Sequence, residues 1–110
     1  MTSERAGSPD TRKHLVALMD ILQARHLLMG GIIRRMHALT LRVVRVGQVP
    51  RPTVEVVVVS AEDGQWFARY LPNGDEIGEK IGLVDDPSGV ATAIEWELRD
   101  RAEATAGRQR

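Results

Sequence analysis

The chain has 110 residues, with 15 basic and 15 acidic side chains and no net charge, a size and balance that suit one globular domain with a single modest core. It contains no cysteine, which excludes disulfides, thiolate metal ligands and cysteine nucleophiles. Trp66, Phe67, Tyr70 and Trp96 are the only aromatic residues, so the core must be built mainly from Val, Ile, Leu and Met.

Residues 1–9 are small, polar and proline-containing and read as a disordered lead-in to one domain over residues 10–106. Asp10 or Thr11 can cap a helix. Leu15, Met19, Leu22, Met29, Ile33 and Met36 then recur at alternating spacings of four and three once His26 fills one place, a heptad pattern. Leu18, Ile21, Leu28 and Ile32 widen that stripe. Gly30-Gly31 interrupts it, because each glycine costs about 1 kcal/mol against alanine inside a helix. The pattern predicts one long helical region, bent or broken at the pair. The apolar run Leu27 to Ile33 is flanked by Arg25-His26 and Arg34-Arg35 and is far shorter than the ~20 residues that cross a bilayer. No small-residue cleavage site follows it, so a cytoplasmic protein without a membrane anchor is expected.

From Leu39 the period changes to two. Leu39, Leu41 and Val43 alternate with Thr40 and Arg42, and Val44 and Val46 then change face, which predicts a strand with a bulge at Val43-Val44. Pro50 and Pro52 mark a loop. Thr53 to Ser60 is the clearest strand, Glu62-Asp63-Gly64 a tight turn, and Gln65 to Leu71 a returning strand with Trp66, Ala68 and Tyr70 on one face, of which Trp66 and Tyr70 are expected in the core. Pro72-Asn73-Gly74-Asp75 is a second turn, and Glu76 to Ile81 can add a short fourth strand. Asp86 can cap a last helix that opens on Pro87 and carries Val90, Ala91, Ile94, Leu98 and Ala102 on one stripe. Residues 107–110 read as a frayed tail. The expected fold is α+β: an N-terminal helix, a three- or four-stranded antiparallel meander and a C-terminal helix.

Motifs that carry chemistry are missing. His14, His26 and His37 are twelve and eleven residues apart, whereas ligands on one helix converge at spacings of three or four. Neither serine of the folded part, Ser60 or Ser88, lies in a G-x-S-x-G turn. Gly74, Gly78 and Gly82 form no phosphate loop, and their spacing instead suits close approach by a helix. No catalytic residue, metal site or cofactor is expected.

Charge is nonetheless segregated. Residues 21–54 hold six arginines and no acid, whereas residues 55–104 hold twelve acids against four bases, a net of −8. Arg34, Arg35, Arg42, Arg45 and Arg51 could contact nucleic-acid phosphates, although no base-reading element or stacking platform accompanies them. Alternatively, the two halves neutralise each other within the fold or across a dimer. Trp96 lies off its helix's apolar stripe and, with Met29, Ile33 and Met36, is a candidate partner contact. The expectation is a non-enzymatic interaction or regulatory module, homodimeric because the apolar helix face and the Val54 to Val59 strand exceed what a small monomer covers. The alternative is weak, sequence-tolerant nucleic-acid binding by the arginine-rich segment 25–51.

Overall fold

The computed structural model describes residues 9–36, 38–47, 49–73 and 76–108. Its elements are α1 (Pro9–Gln23), β1 (Leu28–Arg34), β2 (Leu39–Arg45), β3 (Thr53–Ala61), β4 (Gly64–Leu71), β5 (Glu76–Leu83) and α2 (Pro87–Arg108). The strands form one antiparallel sheet in the order β1-β2-β3-β4-β5. Both helices pack on one face of that sheet and against each other, an α+β fold with five strands rather than three or four. None of the described helices is long and apolar enough to cross a membrane.

The extra strand comes from the segment expected to prolong the first helix. Helix α1 stops at Gln23, and residues 24–27 turn, with Leu27 in the left-handed region at φ 66°. His26, needed to complete the heptad, lies exposed in that turn. The physical reason for the strand lies in Leu28-Met29-Gly30-Gly31-Ile32-Ile33. Two glycines penalise a helix, two isoleucines favour a strand, and the alternate residues divide cleanly between two faces. Leu28, Gly30 and Ile32 turn towards the helices, and Met29, Gly31 and Ile33 turn away. Gly30 fits because a Cβ there would come within 3.2 Å of Met19 Cγ on α1.

No bulge occurs at Val43-Val44. Seven consecutive pairs, Leu28↔Arg45 to Arg34↔Leu39, join β1 to β2, and Leu41↔Val56 to Val44↔Thr53 continue regularly into β3. Val44 is apolar because the face away from the helices is itself apolar there, so no slip in the pleat is needed. The irregularities fall instead between β4 and β5, at Phe67/Ala68 and Ala68/Tyr70.

One core fills the space between helices and sheet. Leu15, Leu18 and Leu22 of α1 meet Leu41 and Val43 of β2, Val54 and Val56 of β3, Phe67 of β4, and Val90, Ile94 and Leu98 of α2. The local signals at the last helix act as the sequence implies: Asp86 Oδ1 accepts the Gly89 N–H at 3.1 Å, Pro87 occupies the first turn, and Ala91 and Ala102 join the buried stripe. Glu62 and Asp63 form the turn between β3 and β4, with Gly64 at φ 129°. In the following turn, Gly74 and Asp75 lie outside the described residues.

Gly82 lets α2 approach β5, since a Cβ at that position would stand 2.7 Å from Val90 Cγ2. Gly82→Ala is therefore expected to lose about 1–3 kcal/mol through overpacking. Gly31→Ala, where nothing lies within 4 Å of the added carbon, serves as the control and should be near neutral. Urea denaturation of the two variants checks this, and equal midpoints would contradict the close helix–strand contact.

Candidate interaction surface

With both helices on one face, the other side of the sheet carries the unassigned chemistry. Cross-strand pairs share a face, so the register identifies its residues: Met29 with Val44, Gly31 with Arg42, Ile33 with Thr40, Arg42 with Glu55, Val57 with Ala68, and Val59 with Trp66. Two apolar zones result. Over β1 and β2, Met29, Ile33, Val44 and Val46, with Arg42 and Arg51 at the rim, line a shallow depression of ≈250 Å³. Over β3 and β4, Val57, Ala68 and Tyr70 are buried together, with Ala38 and Val59 packed around them.

A polar network separates the zones. Glu55 is 6% exposed and accepts three hydrogen bonds: from Arg35 Nε at 2.7 Å, from Arg35 Nη2 at 2.6 Å and from the Thr40 hydroxyl at 2.7 Å. The Arg35 guanidinium also stands 6.0 Å from the centre of the Tyr70 ring. Burial pushes the Glu55 pKa up, but the hydrogen bonds from Arg35 and Thr40, with the charges of Arg35 and Arg42, outweigh it and leave the pKa below its ordinary value. Nothing in local spacing announces this network. The available signal was Glu55 itself, a carboxylate inside the apolar run Thr53 to Val59 immediately after a long acid-free, arginine-rich segment.

A second, deeper cleft of ≈420 Å³ opens where β3 and β4 part beyond the Val56↔Arg69 pair. Arg35, Arg42, Arg69 and Arg101 line it. Most of this charge is already compensated: Arg35 by Glu55, Arg69 by Glu79 and Glu97, and Arg101 by Glu97. Arg25 is held in the same way by Glu95 at 2.8 Å and by the Thr92 hydroxyl at 3.0 Å. Basic and acidic halves of the chain thus meet inside the fold at Arg25–Glu95 and Arg35–Glu55.

The five arginines considered for nucleic acid do not gather into one patch. Arg42 is on the outer face and Arg51 beside it in the β2–β3 loop. Arg34 and Arg45 take helix-side positions at opposite ends of the β1–β2 hairpin, about 20 Å apart along the strands. Arg35 is committed to Glu55. Among the partner-contact candidates, Met29 (61% exposed) and Ile33 stand together on the outer face of β1, and Met36 (86% exposed) lies just beyond that strand. Trp96 (57% exposed) is on the solvent side of α2 with the Arg99 guanidinium 5.3 Å from its ring, away from the methionines.

His14 Nε2 lies 3.2 Å from Gln65 Oε1, His26 is in the exposed turn, and His37 lies outside the described residues. Among the described residues no group of three or more His, Asp and Glu side chains could hold a metal ion. Trp66 donates its Nε1–H to Asp63 at 3.0 Å, which holds the exposed Asp63 carboxyl below its ordinary pKa. No family model, curated protein or solved structure matches this chain.

Proposed function

We propose that the chain is a non-enzymatic interaction module that works as a homodimer in the cytoplasm. The observation that carries this reading is the outer face of the β1–β2 hairpin, where exposed Met29 stands with Ile33, Val44 and Val46 and no described element forms a second layer. The helix face, the first reason to expect a dimer, is covered within the chain by the sheet, so the reading now rests on the sheet's other side. A non-enzymatic role is favoured by the state of the most polar cavity. Its guanidiniums are largely matched by carboxylates, and Glu55 is kept ionised by donors that a general base would have to give up. Exposed Trp96, on the opposite side from the outer face, suits a contact with a partner other than a second copy. The cysteine-free composition fits a reducing compartment. Nucleic-acid binding loses support, because the arginines are divided between the two faces and both ends of a hairpin and two of the basic segment's six are engaged by Glu55 and Glu95. Size exclusion with light scattering at ~100 μM, far above the dissociation constant of a stable dimer, is expected to give twice the chain mass. A monomer mass at that concentration would remove the homodimer reading.

A further inference from the structure

We propose that two copies join by antiparallel pairing of β1 with β1 about a two-fold axis at Gly31, making one ten-stranded sheet. This rests on the homodimer reading and names its interface. The two sheet edges, β1 and β5, are built differently. Bare edges invite pairing with another chain, and proteins guard them with charges, prolines and bulges. Strand β5 has such guards: Glu76, Glu79 and Lys80, and two irregularities in its pairing with β4. Strand β1 has none from Leu28 to Ile33, where no charge and no proline occurs and the pairing with β2 is unbroken.

The hydrogen bonds at the ends of the hairpin show which groups that edge presents. Leu27 O accepts from Val46 N at 2.9 Å, and Arg35 N donates to Ala38 O at 2.7 Å. Antiparallel pairs alternate, so residues 27, 29, 31, 33 and 35 bond towards β2, and the C=O groups of 28, 30, 32 and 34 with the N–H groups of 30, 32 and 34 point outward, the Leu28 N–H being held by Arg25 O at 3.4 Å. The Gln23 side chain fits this, reaching the outward Gly30 carbonyl from α1 at 3.2 Å.

A second copy is the occupant because the strand complements itself. Outward-pointing residues must pair with outward-pointing residues, and centring on Gly31 is the register that overlaps all seven residues. It sets Gly30 against Ile32 of the second copy, and Ile32 against its Gly30, so a large side chain faces a missing one on both sides of the axis. Leu28 falls opposite Arg34 on the helix side, and Met29 opposite Ile33 on the outer side, which brings the two apolar depressions together. On the outer face like charges stay apart. The two Arg42 residues, each beside its own Gly31, are three strand spacings or about 14 Å from each other, beyond the ~8 Å screening length at physiological salt.

Gly31 makes this testable. At the axis the two copies form a non-hydrogen-bonded pair with Cα atoms about 4.5 Å apart, within the range a disulfide spans. The chain has no other cysteine. Gly31→Cys is therefore expected to form a covalent dimer in high yield under mild oxidation, and Ser60→Cys, at an exposed position on β3, is expected to stay largely uncrosslinked. Gly31→Lys puts two ammonium groups face to face at the axis, yet nothing lies within 4 Å of the new Cβ in one copy. It is expected to weaken dimerisation at least about tenfold by light scattering over a dilution series, with a native circular dichroism spectrum. A wild-type dimer that Gly31→Lys leaves intact and Gly31→Cys does not cross-link would overturn the β1 interface and leave the homodimer reading standing. A wild-type monomer would remove both.

Discussion

Phe67→Ala is expected to cost about 3–5 kcal/mol, the upper range for truncating a buried side chain. Phe67 is fully buried on the helix side of β4 and is the only aromatic residue of the main core. Its cross-strand neighbours are Val58 on β3 and Gly82 on β5. Gly82 has no side chain to relax into the space, so the cavity left by truncation stays open, and an unrelaxed cavity makes a large-to-small substitution expensive. Against a usual total of about 5–15 kcal/mol, such a loss removes a large share of the stability. Trp66→Ala, one residue away, is expected to lose clearly less. Its ring is half-buried on the outer face, with Nε1 bonded to the exposed Asp63 and the Lys80 ammonium 4.8 Å from the ring centre. Urea midpoints at constant slope measure the difference, and Phe67→Leu supplies a milder variant if the alanine does not fold. Equal losses at positions 66 and 67 would mean that the two faces of β4 had been assigned wrongly.

That pair also illustrates what the sequence could and could not reveal. Alternation along Gln65 to Leu71 separates Trp66, Ala68 and Tyr70 from Phe67 without any structure, but it does not say which set meets the helices. The larger aromatic looks like the core residue; the parity of Leu41, Val43 and Val56 in the neighbouring strands decides for Phe67. The start and the buried stripe of helix α2 were legible, because Asp86, Pro87 and the Val90–Ala102 stripe are local signals that no distant contact overrides, although the helix runs to Arg108, past the end expected at 106. Residues 24–34 were not. Met29 and Ile33 are four apart on a helix face and also share parity on a strand, so both periods describe them, and the choice falls to the edge of the sheet and to α1 lying across Gly30. Ion pairs such as Arg35–Glu55, twenty residues apart, have no signature in spacing at all. Charge segregation announced that the halves had something to neutralise, but not which arginines would remain on the surface.

The second large effect is expected at Glu55. Glu55→Ala should cost about 3 kcal/mol, because removing one member of a buried pair strands the other. The lower end of the usual range applies, since the Arg35 side chain is 33% exposed and can recover some hydration. Removing both charges is a different matter: Arg35→Met with Glu55→Leu avoids the stranded ion and should restore much of the loss, so a double-mutant cycle reads the coupling directly. The pair also ties stability to pH with a definite sign. Glu55 has a folded pKa below its ordinary value of 4.5, so its contribution is fully present above that value and is lost as the pH falls through the folded pKa. Wild-type stability should fall more steeply than that of Glu55→Gln as the pH drops below the ordinary carboxylate range, because the glutamine has no proton to take up there. Parallel pH profiles for the two proteins would show that the carboxylate is not held as its contacts imply. The network joins Arg35, directly after β1, and Thr40 on β2 to Glu55 on β3, so it pins the β1–β2 turn onto the sheet at the end of the exposed edge strand. If β1 is the dimer interface, Glu55→Ala should therefore also weaken association under conditions where the variant remains folded, although Glu55 lies two strands away from the edge.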